Sequence, residues 1–598
     1  MFKFPYGISD FYKVITRGYF FVDRTDHVPL LEEAGEQLVF LRPRRFGKSL
    51  LLSMLENYYD VAKADEFDRL FGHLAIGQNP TPSHNQYFIL KWDFSGVDTS
   101  GDDIETIRRS LHNYINGEIE QFLAYYRHLL DYPVTLHPTD GLRSFQSVLA
   151  AVRATPYKLY LMIDEYDNFA NEVMMSRRLD SKKRYEALVE GEGVLKTVFK
   201  VVKTASTGRG VDRVFITGVS PIVLSDATSG YNVAEHISFN PQFNDLCGFW
   251  ETEIGTTLEQ ISSACGFPLE KTTEALTMMR TFYNGYTFCD DRVDLIYNPT
   301  LALYFTKYFQ DRCQFPDKML DGNFAMDRAK IAFVSRLPGG QGLVLDTLQE
   351  ETPVLISQLE DRFGLEEMLN VTEDTRFMAS LLYYLGVLTL GERDLESGKL
   401  HLQIPNLVVR KLYVEHLQQM FLPVLQSKNA IRRVAERLYR GGEMQAICDF
   451  IEQRYFKVFD NRDYAWADEL TIKTAFLTIL FEDAFYIMDS EPPLERTYAD
   501  LTMIIRPEMR QYPGLLDILI EFKYVKLAEA GLSRENARQL NLAALKALPA
   551  IEEQLEAAKT QAQDYRSTLE AKYGGILRLR TYAVVALGFD RLVWEEIQ

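Results

Sequence analysis

Short apolar runs separated by charged or polar stretches set the rhythm of this chain, and three of the runs have the length and composition of buried strands. They are EQLVFL (36–41), KLYLMI (158–163) and VDRVFITG (211–218). The first leads directly into SLLLSMLENYYD (49–60), whose apolar positions recur at helical spacing. Strands alternating with amphipathic helices predict an α/β domain built on a parallel sheet with flanking helices. Residues 241 to 425 space their apolar positions three and four apart, as in QFNDLCGFWETEI (242–254) and FMASLLYYLGVLTL (377–390), and are expected to be mostly helical. The second of these, followed by KLHLQIPN (399–406), reads as helix, strand, turn and strand, a winged-helix-like unit. Further on, ELTIKTAFLTILFEDAFY (469–486) predicts a helix, LTMII (501–505) and LLDILIEFKYV (515–525) predict hairpin strands, and the charged stretch 533–559 predicts a helix broken or kinked near Pro549.

At 598 residues the chain exceeds what one core can organise. The best cut points are SRLPGGQG (335–342) and SKNAIRR (427–433). With the change to helical spacing at 241 they divide the chain into 1–240, 241–335, 336–425 and 426–598, the last expected to be a second α/β domain. No run approaches the roughly 20 apolar residues of a membrane span, and MFKFPYGISDF lacks the architecture of a secretory signal, so the expected location is the cytoplasm. The five cysteines lie far apart with no CxxC pair, against a disulfide framework or zinc knuckle. A net charge of -19 argues against a surface coated with phosphate-binding residues but leaves room for a local basic groove.

Candidate chemistry begins at FLRPRRFGKSLL (40–51). Gly47, Lys48 and Ser49 form the tail of a Walker A loop between a strand and a helix, while Arg42 stands where a glycine is expected. Backbone N–H groups at a helix start attract an anion. Lys48 can reach β- and γ-phosphates, the Ser49 hydroxyl can join a Mg2+ shell, and Phe46, Gly47 and Leu50 line the same site. Arg44 and Arg45 either contact phosphate or form a solvated basic turn; the residues leave both open. The strand 159–163 ends in Asp164 and Glu165, a Walker B pattern in which Asp164 holds Mg2+ and Glu165 polarises the attacking water. Thr217 and Ser220, ending the strand 211–218, are candidate γ-phosphate sensors.

PYGISDF (5–11), YFFVDRT (19–25), LRPRRFGKSLL (41–51), IDEYDN (163–168), TGVSPI (217–222), YNVAEHISF (231–239), FYNGYTF (282–288) and YNPTLAL (297–303) together resemble the AAA-ATPase-like family over roughly residues 1 to 310. The resemblance implies that Tyr19 to Thr25 frame the base of a bound ATP, and that a PD-(D/E)XK nuclease-like domain of the restriction-endonuclease type follows. Mg2+-dependent phosphodiester cleavage needs converging carboxylates and a cation near the attacking water. Asp500 opens a strand, and Glu521-Phe522-Lys523 lies on the next, where residues two apart share a face. Asp500 and Glu521 are the expected metal ligands, with Lys523 orienting water. Glu482 is the preferred further acid, with Glu469 and Glu491 as alternatives. Gln561 and Tyr565 resemble the Gln-x-x-x-Tyr feature of these nucleases. One departure is that Arg496 is displaced from the G-R-x-D pattern and no glycine precedes it.

The resulting expectation is an ATP-binding, ATP-hydrolysing P-loop protein coupled to a Mg2+-dependent (or Mn2+-dependent) nuclease. It would act on nucleic acid, DNA ahead of RNA, in genome defence or a mobile element, with a homo-oligomer among its possible partners. The alternative is an ATP-driven switch or scaffold whose nuclease domain is degenerate and binds nucleic acid or protein. A ring-forming motor is a third reading, with Arg209 and Arg213, at the approach to the strand 211–218, as candidate arginine fingers acting in trans on a neighbouring copy.

Overall fold

The structure, a computed structural model, describes residues 1–98, 104–168, 193–221, 233–289, 295–320, 328–348, 354–360, 375–394, 396–421, 426–456, 469–489 and 500–597. Ile222, Glu491 and Arg496 lie outside the described residues. The chain divides into two compact units. The first comprises Met1–Gln314, Phe333–Leu343 and Val354–Pro405; the second comprises Phe315–Ala332, Val344–Pro353 and Asn406–Gln598.

The first unit is built on five parallel strands, β1 (Gln37–Leu41), β2 (Tyr87–Asp93), β3 (Lys158–Asp164), β4 (Val211–Gly218) and β5 (Glu235–His236), in the order β2-β3-β4-β1-β5. A parallel sheet is covered on both faces, so its strands are continuously apolar rather than alternating. β1 and β3 obey this: Leu38 to Leu41 and Leu159 to Ile163 are all buried. Helices α1 (Lys48–Tyr59), α2 (Ile104–Tyr125), α3 (Gly141–Arg153) and α4 (Val194–Ser206) supply the cover. Trp92 of β2, for example, meets Phe145 of α3 edge-on at 5.1 Å. The register pairs Leu41 with Gly218 and Asp93 with Asp164, so the carboxyl ends of these strands form one rim. Ligands of open α/β sheets bind at that rim, where the strand order reverses.

Beyond the sheet come α5 (Glu251–Ala264), α6 (Leu269–Tyr283) and α7 (Pro299–Arg312). α7 starts on Pro299 with the Asn298 side chain accepting from the Thr300 and Leu301 amides at 3.0 and 3.2 Å, a proline-led N-terminus with its cap. A disulfide joins Cys265 to Cys313, the residues that end α5 and α7. Helix α8 (Thr375–Tyr384) lies in the chain between β6 (Val354–Ile356) and β7 (Thr389–Leu390), which with β8 (Leu400–Gln403) form a small antiparallel sheet. The polar stretches taken as cut points both run into helices, Gly340–Asp346 and α9 (Gln426–Gly441).

The second unit carries a mixed sheet ordered β13-β12-β11-β10-β9. Its strands are β9 (Tyr486–Asp489), β10 (Leu501–Ile505), β11 (Asp517–Val525), β12 (Leu579–Leu587) and β13 (Arg591–Ile597); only β11 and β12 are parallel. The expected helix over 469–486 is shorter, α10 (Glu469–Leu480), because Tyr486 and the residues after it pair with β10 as an edge strand. Pro549 does not kink a helix; it opens α11 (Pro549–Tyr573), where its missing N–H costs nothing. α11 covers one face of the sheet through Leu555, Ala558 and Ala562, while Phe476 of α10 packs on Phe522 at 4.7 Å.

Asp517, whose side chain is fully buried, holds this sheet's corner. It takes both guanidinium nitrogens of Arg510 at 2.6 and 2.7 Å, and the Ile505 and Arg578 amides at 2.8 Å each. Removing one partner of such a buried pair strands the other charge. Asp517→Ala is therefore expected to cost the second unit about 3–5 kcal/mol, read as a lower urea midpoint than the wild type.

Candidate functional site

β1 delivers the chain into the loop 42–47, and Arg42 determines how it turns. Its guanidinium is buried and donates to the carbonyls of Leu41 (2.9 Å), Ser238 (2.8 Å) and Phe243 (2.8 Å). It also lies over the rings of Phe40 and Phe288, at 4.4 and 4.1 Å. Burial pulls its pKa down to about 10, which leaves it charged at neutral pH. Phe46 is buried against Tyr286 and Phe288 at 5.0 and 5.3 Å. The front half of the loop is thus pinned by two inward anchors, a cation and a ring. Between them Arg44 points across to donate to the Asn168 side-chain carbonyl, and Arg45 lines a cavity while its carbonyl accepts from Thr300 Oγ at 3.0 Å.

Two left-handed residues complete the turn, Arg45 at φ 67° and Gly47 at φ 94°. A Cβ at Gly47 would meet nothing within 4 Å, so the conformation rather than space calls for glycine there. Gly47 is also the N-cap of α1 and offers no side-chain cap, so the first N–H groups of α1 are open to an anion. Lys48 is buried, with Nζ bonded to the Arg42 and Pro43 carbonyls at 2.9 and 3.0 Å. Burial lowers its pKa, and Asp164, Glu165 and Asp167 offset part of that.

Across the rim, buried Asp164 accepts from Thr217 Oγ1 at 2.5 Å and from the Glu165 amide at 3.0 Å. Thr217 therefore orients Asp164. Ser220, the other candidate sensor, gives its hydroxyl to Asp167 at 3.0 Å, and Asp167 also takes the Val219 and Ser220 amides at 3.1 and 2.8 Å. Glu165 sits at φ 47°, a conformation costing about 1–3 kcal/mol outside glycine that persists where neighbours impose it. Burial raises its pKa, Lys48 and Arg44 lower it, and Asp164 and Asp93 raise it again. Asp93, at the end of β2 beside Asp164, was not singled out from sequence, although a lone acid closing an apolar strand (YFILKWD) was the available signal.

Between loop and rim lies a cavity of about 350 Å3. It is lined by polar and charged groups of Arg45, Lys48, Ser49 and Glu165 and by apolar side chains including Phe20, Phe21, Phe249 and Leu303. Part of the 19–25 segment is thus brought to the cavity. Arg24 fixes that segment, donating to both Glu253 oxygens at 2.7 and 2.8 Å and to the Asp245 carbonyl at 2.8 Å. His27 bridges Asp26 and Asp245, both at 3.0 Å. The arginines considered as fingers are elsewhere. Arg213 donates to the Gly35 carbonyl at 3.2 Å and Arg209 precedes β4, so both sit at the amino end of a strand whose other end, Gly218, reaches the rim. Five residues of strand separate Arg213 from that rim, roughly 16 Å, so neither arginine reaches the nucleotide loop of its own chain.

In the second unit the hairpin register sets Asp500 opposite Glu521. Both are buried; Asp500 accepts from the Phe522 amide at 2.7 Å, and its own amide points to Glu521 Oε2 at 3.5 Å. Lys523 meets Glu521 at 3.3 Å and Glu469 at 3.5 Å, and Lys473 meets Asp500 at 3.3 Å. Burial, then Asp500, pushes the Glu521 carboxyl up to about 8, against the pull of Lys523. Glu482, the preferred third acid, is not brought to this cluster: it follows α10 and lines a separate groove with Tyr439 and Arg432. Glu469, at the other end of α10, is the acid beside the cluster, because the helix presents its first turn to the hairpin. Tyr565 packs near Ile504 and Leu519, and Gln561 is exposed on α11. Among the described residues no group of three His, Cys, Asp or Glu forms a metal cage. Mg2+ is typically held by one or two carboxylates completed by water and phosphate oxygens, and Asp500 with Glu521 fits that requirement.

A parallel sheet with the loop, Lys48 and the acidic pair on its carboxyl rim defines the first unit as a P-loop ATPase-type fold. Residues 5–228 match the AAA-ATPase-like family model, described as a predicted AAA-ATPase. The chain is also similar to the uncharacterized protein in the vnfD 5′ region of Azotobacter chroococcum mcd 1. That match is 25% identical over 536 residues, covering 88% of this chain and 90% of the relative. Among solved structures, the Walker-type ATPase of Pyrococcus abyssi aligns at TM-score 0.35 and 12% identity, covering 66% of this chain and 96% of its own. The Aeropyrum pernix ORC1 protein in complex with DNA aligns at TM-score 0.24 and 10% identity, covering 66% and 93%. Among the described residues no helix is long and apolar enough to cross a membrane.

Two outcomes are expected. Lys48→Ala should weaken ATP binding about tenfold or more, about 1.4 kcal/mol or more, measured by titration calorimetry. His27 is pushed down by burial but pulled further up by Asp245 and Asp26, so its folded pKa lies above the ordinary 6.5. Its stabilisation is full below that value and disappears as pH rises through the folded pKa. The urea midpoint should thus fall more between pH 6 and 8.5 in the wild type than in His27→Gln.

Proposed function

We propose that the chain binds and hydrolyses ATP in its first unit and cleaves phosphodiester bonds of nucleic acid, DNA ahead of RNA, in its second. The observation that carries the first half is the juxtaposition of Lys48, the open N-terminus of α1 and Glu165 around one partly apolar cavity, with Asp164 bonded to the Glu165 amide. A nucleoside triphosphate offers a flat apolar base and a chain of anionic oxygens, and the cavity is lined by residues suited to both. Lys48 would exchange its bonds to the loop carbonyls for β- and γ-phosphate oxygens. Glu165, held beside Lys48, would take a proton from the attacking water, and Thr217 would keep Asp164 in place. Mg2+ bound through Ser49 and Asp164 supplies charge neutralisation on the phosphates.

The second half is supported by two buried carboxylates on facing strands with a lysine two residues from one of them. Burying like charges against each other is costly for stability, and the arrangement is repaid when a divalent cation joins them. Lys523 would orient the attacking water, and Glu469 holds Lys523 in place. On this reading residues 1–240 carry the nucleotide chemistry, 241–335 and 336–425 transmit its state, and 426–598 cut. Use in genome defence or by a mobile element is the setting in which nucleotide-gated cleavage is useful.

Plasmid and single-stranded DNA incubated with Mg2+ or Mn2+, with and without ATP, provide the test. Wild type should cut, Asp500→Ala should lose at least 100-fold in rate, and Lys48→Ala should cut without a response to ATP. Cutting by Asp500→Ala at the wild-type rate would remove the hairpin as the active site.

A further inference from the structure

In a chain of net charge -19, the second unit contains a cavity of about 570 Å3 walled by Arg566, Arg578 and Arg580, with Glu570, Leu516 and Leu579 completing it. We infer that this arginine-lined groove is a binding track for a nucleic-acid strand, distinct from the Asp500–Glu521 cluster. The inference extends the reading of the second unit as acting on nucleic acid and assigns residues that the cleavage chemistry does not use.

Three features favour phosphate over other anions. First, a guanidinium carries five N–H donors in a fixed fork suited to phosphate oxygens, and the protein occupies few of these. Arg578 donates to the Tyr512 and Arg510 carbonyls at 2.6 and 3.1 Å. Arg566 donates to Glu570 at 2.9 Å and the Ile597 carbonyl at 3.1 Å, and Arg580 donates to Glu596. Secondly, the bonds made by Arg578 run to neutral carbonyls, which position it without cancelling its charge. Thirdly, Tyr512, whose carbonyl Arg578 holds, is 54% exposed, and Ile576, two residues before Arg578, is 60% exposed. Arg510 donates to the Ile576 carbonyl at 2.9 Å, so the two loops are stitched together. Forked cations beside an exposed ring are what a single strand requires, backbone contact plus a stacking face. Leu516, at the head of β11, is five residues from Glu521, about 16 Å along the strand, close to the length of five stacked nucleotides at roughly 3.4 Å each.

The test is fluorescence-anisotropy binding of labelled single-stranded and duplex oligonucleotides to the full chain in EDTA, across a salt series. A parallel arm follows cleavage in Mg2+. The Arg566→Gln/Arg580→Gln variant should bind about tenfold more weakly. Its salt slope should be shallower by about 0.7 per lost phosphate contact on single strands, or about 0.9 on duplex. Arg432→Gln, an exposed arginine on α9, should match the wild type. If the double variant fails to fold, judged by its circular dichroism, Arg580→Gln alone is read, because that side chain is already solvent-exposed. Unchanged affinity and slope overturn the inference, as does an equal loss in Arg432→Gln or no oligonucleotide binding by the wild type. Binding of poly-glutamate with the same arginine dependence would assign the groove to an acidic polypeptide and overturn it too. Arginine-dependent binding without any cleavage keeps the groove and removes the nuclease; cleavage with arginine-independent binding does the reverse.

Discussion

The nucleotide loop depends on one buried cation. Arg42 stands where a glycine-led loop would have no side chain, and its guanidinium gathers carbonyls from the end of β1 and from two segments about 200 residues further on. Backbone carbonyls left unpaired in the interior are costly, and a single planar fork satisfies three of them while its faces rest on aromatic rings. The same residue's own carbonyl receives Lys48. Arg42 thus fixes the loop from the inside, whereas a glycine would leave that task to backbone conformation.

Much of this was legible beforehand. Continuous apolar runs ending in Asp164–Glu165 and Thr217 could only be strands of a doubly covered sheet, and the structure sets their ends on one rim. What sequence could not separate was the role of each arginine in RPRR (42–45). Four adjacent positions have the same composition whether they face phosphate, solvent or core, and only long-range contacts with Ser238, Phe243 and Phe288 distinguish Arg42 from Arg44. The assignment of Glu482 rested on proximity along the chain. It failed because a helix carries its first and last turns to different places, and α10 turns Glu469, not Glu482, toward Lys523.

The two units place carboxylates under opposite regimes. Asp164 and Asp167 are satisfied by hydroxyls and amides of β4 and the residues after it, a scaffold that fixes their orientation. Asp500 and Glu521 face one another across a hairpin with lysines on either flank, and burial together with the neighbouring Asp500 raises the pKa of Glu521. Groups held in such tension are more often functional than structural. A protein seeking only stability would place apolar side chains there.

The lysine of the nucleotide loop already has two carbonyl partners before any ligand arrives. Occupancy of the site is therefore an exchange reaction whose driving force is the difference between two sets of contacts, not the sum of the new ones. A ligand gains little by offering that ammonium one oxygen, and much by also engaging the amides of α1 and the apolar side chains of the cavity. On the proposed reading a phosphate ion, a diphosphate and a complete nucleotide would be graded by how many of the site's surfaces each could engage at once.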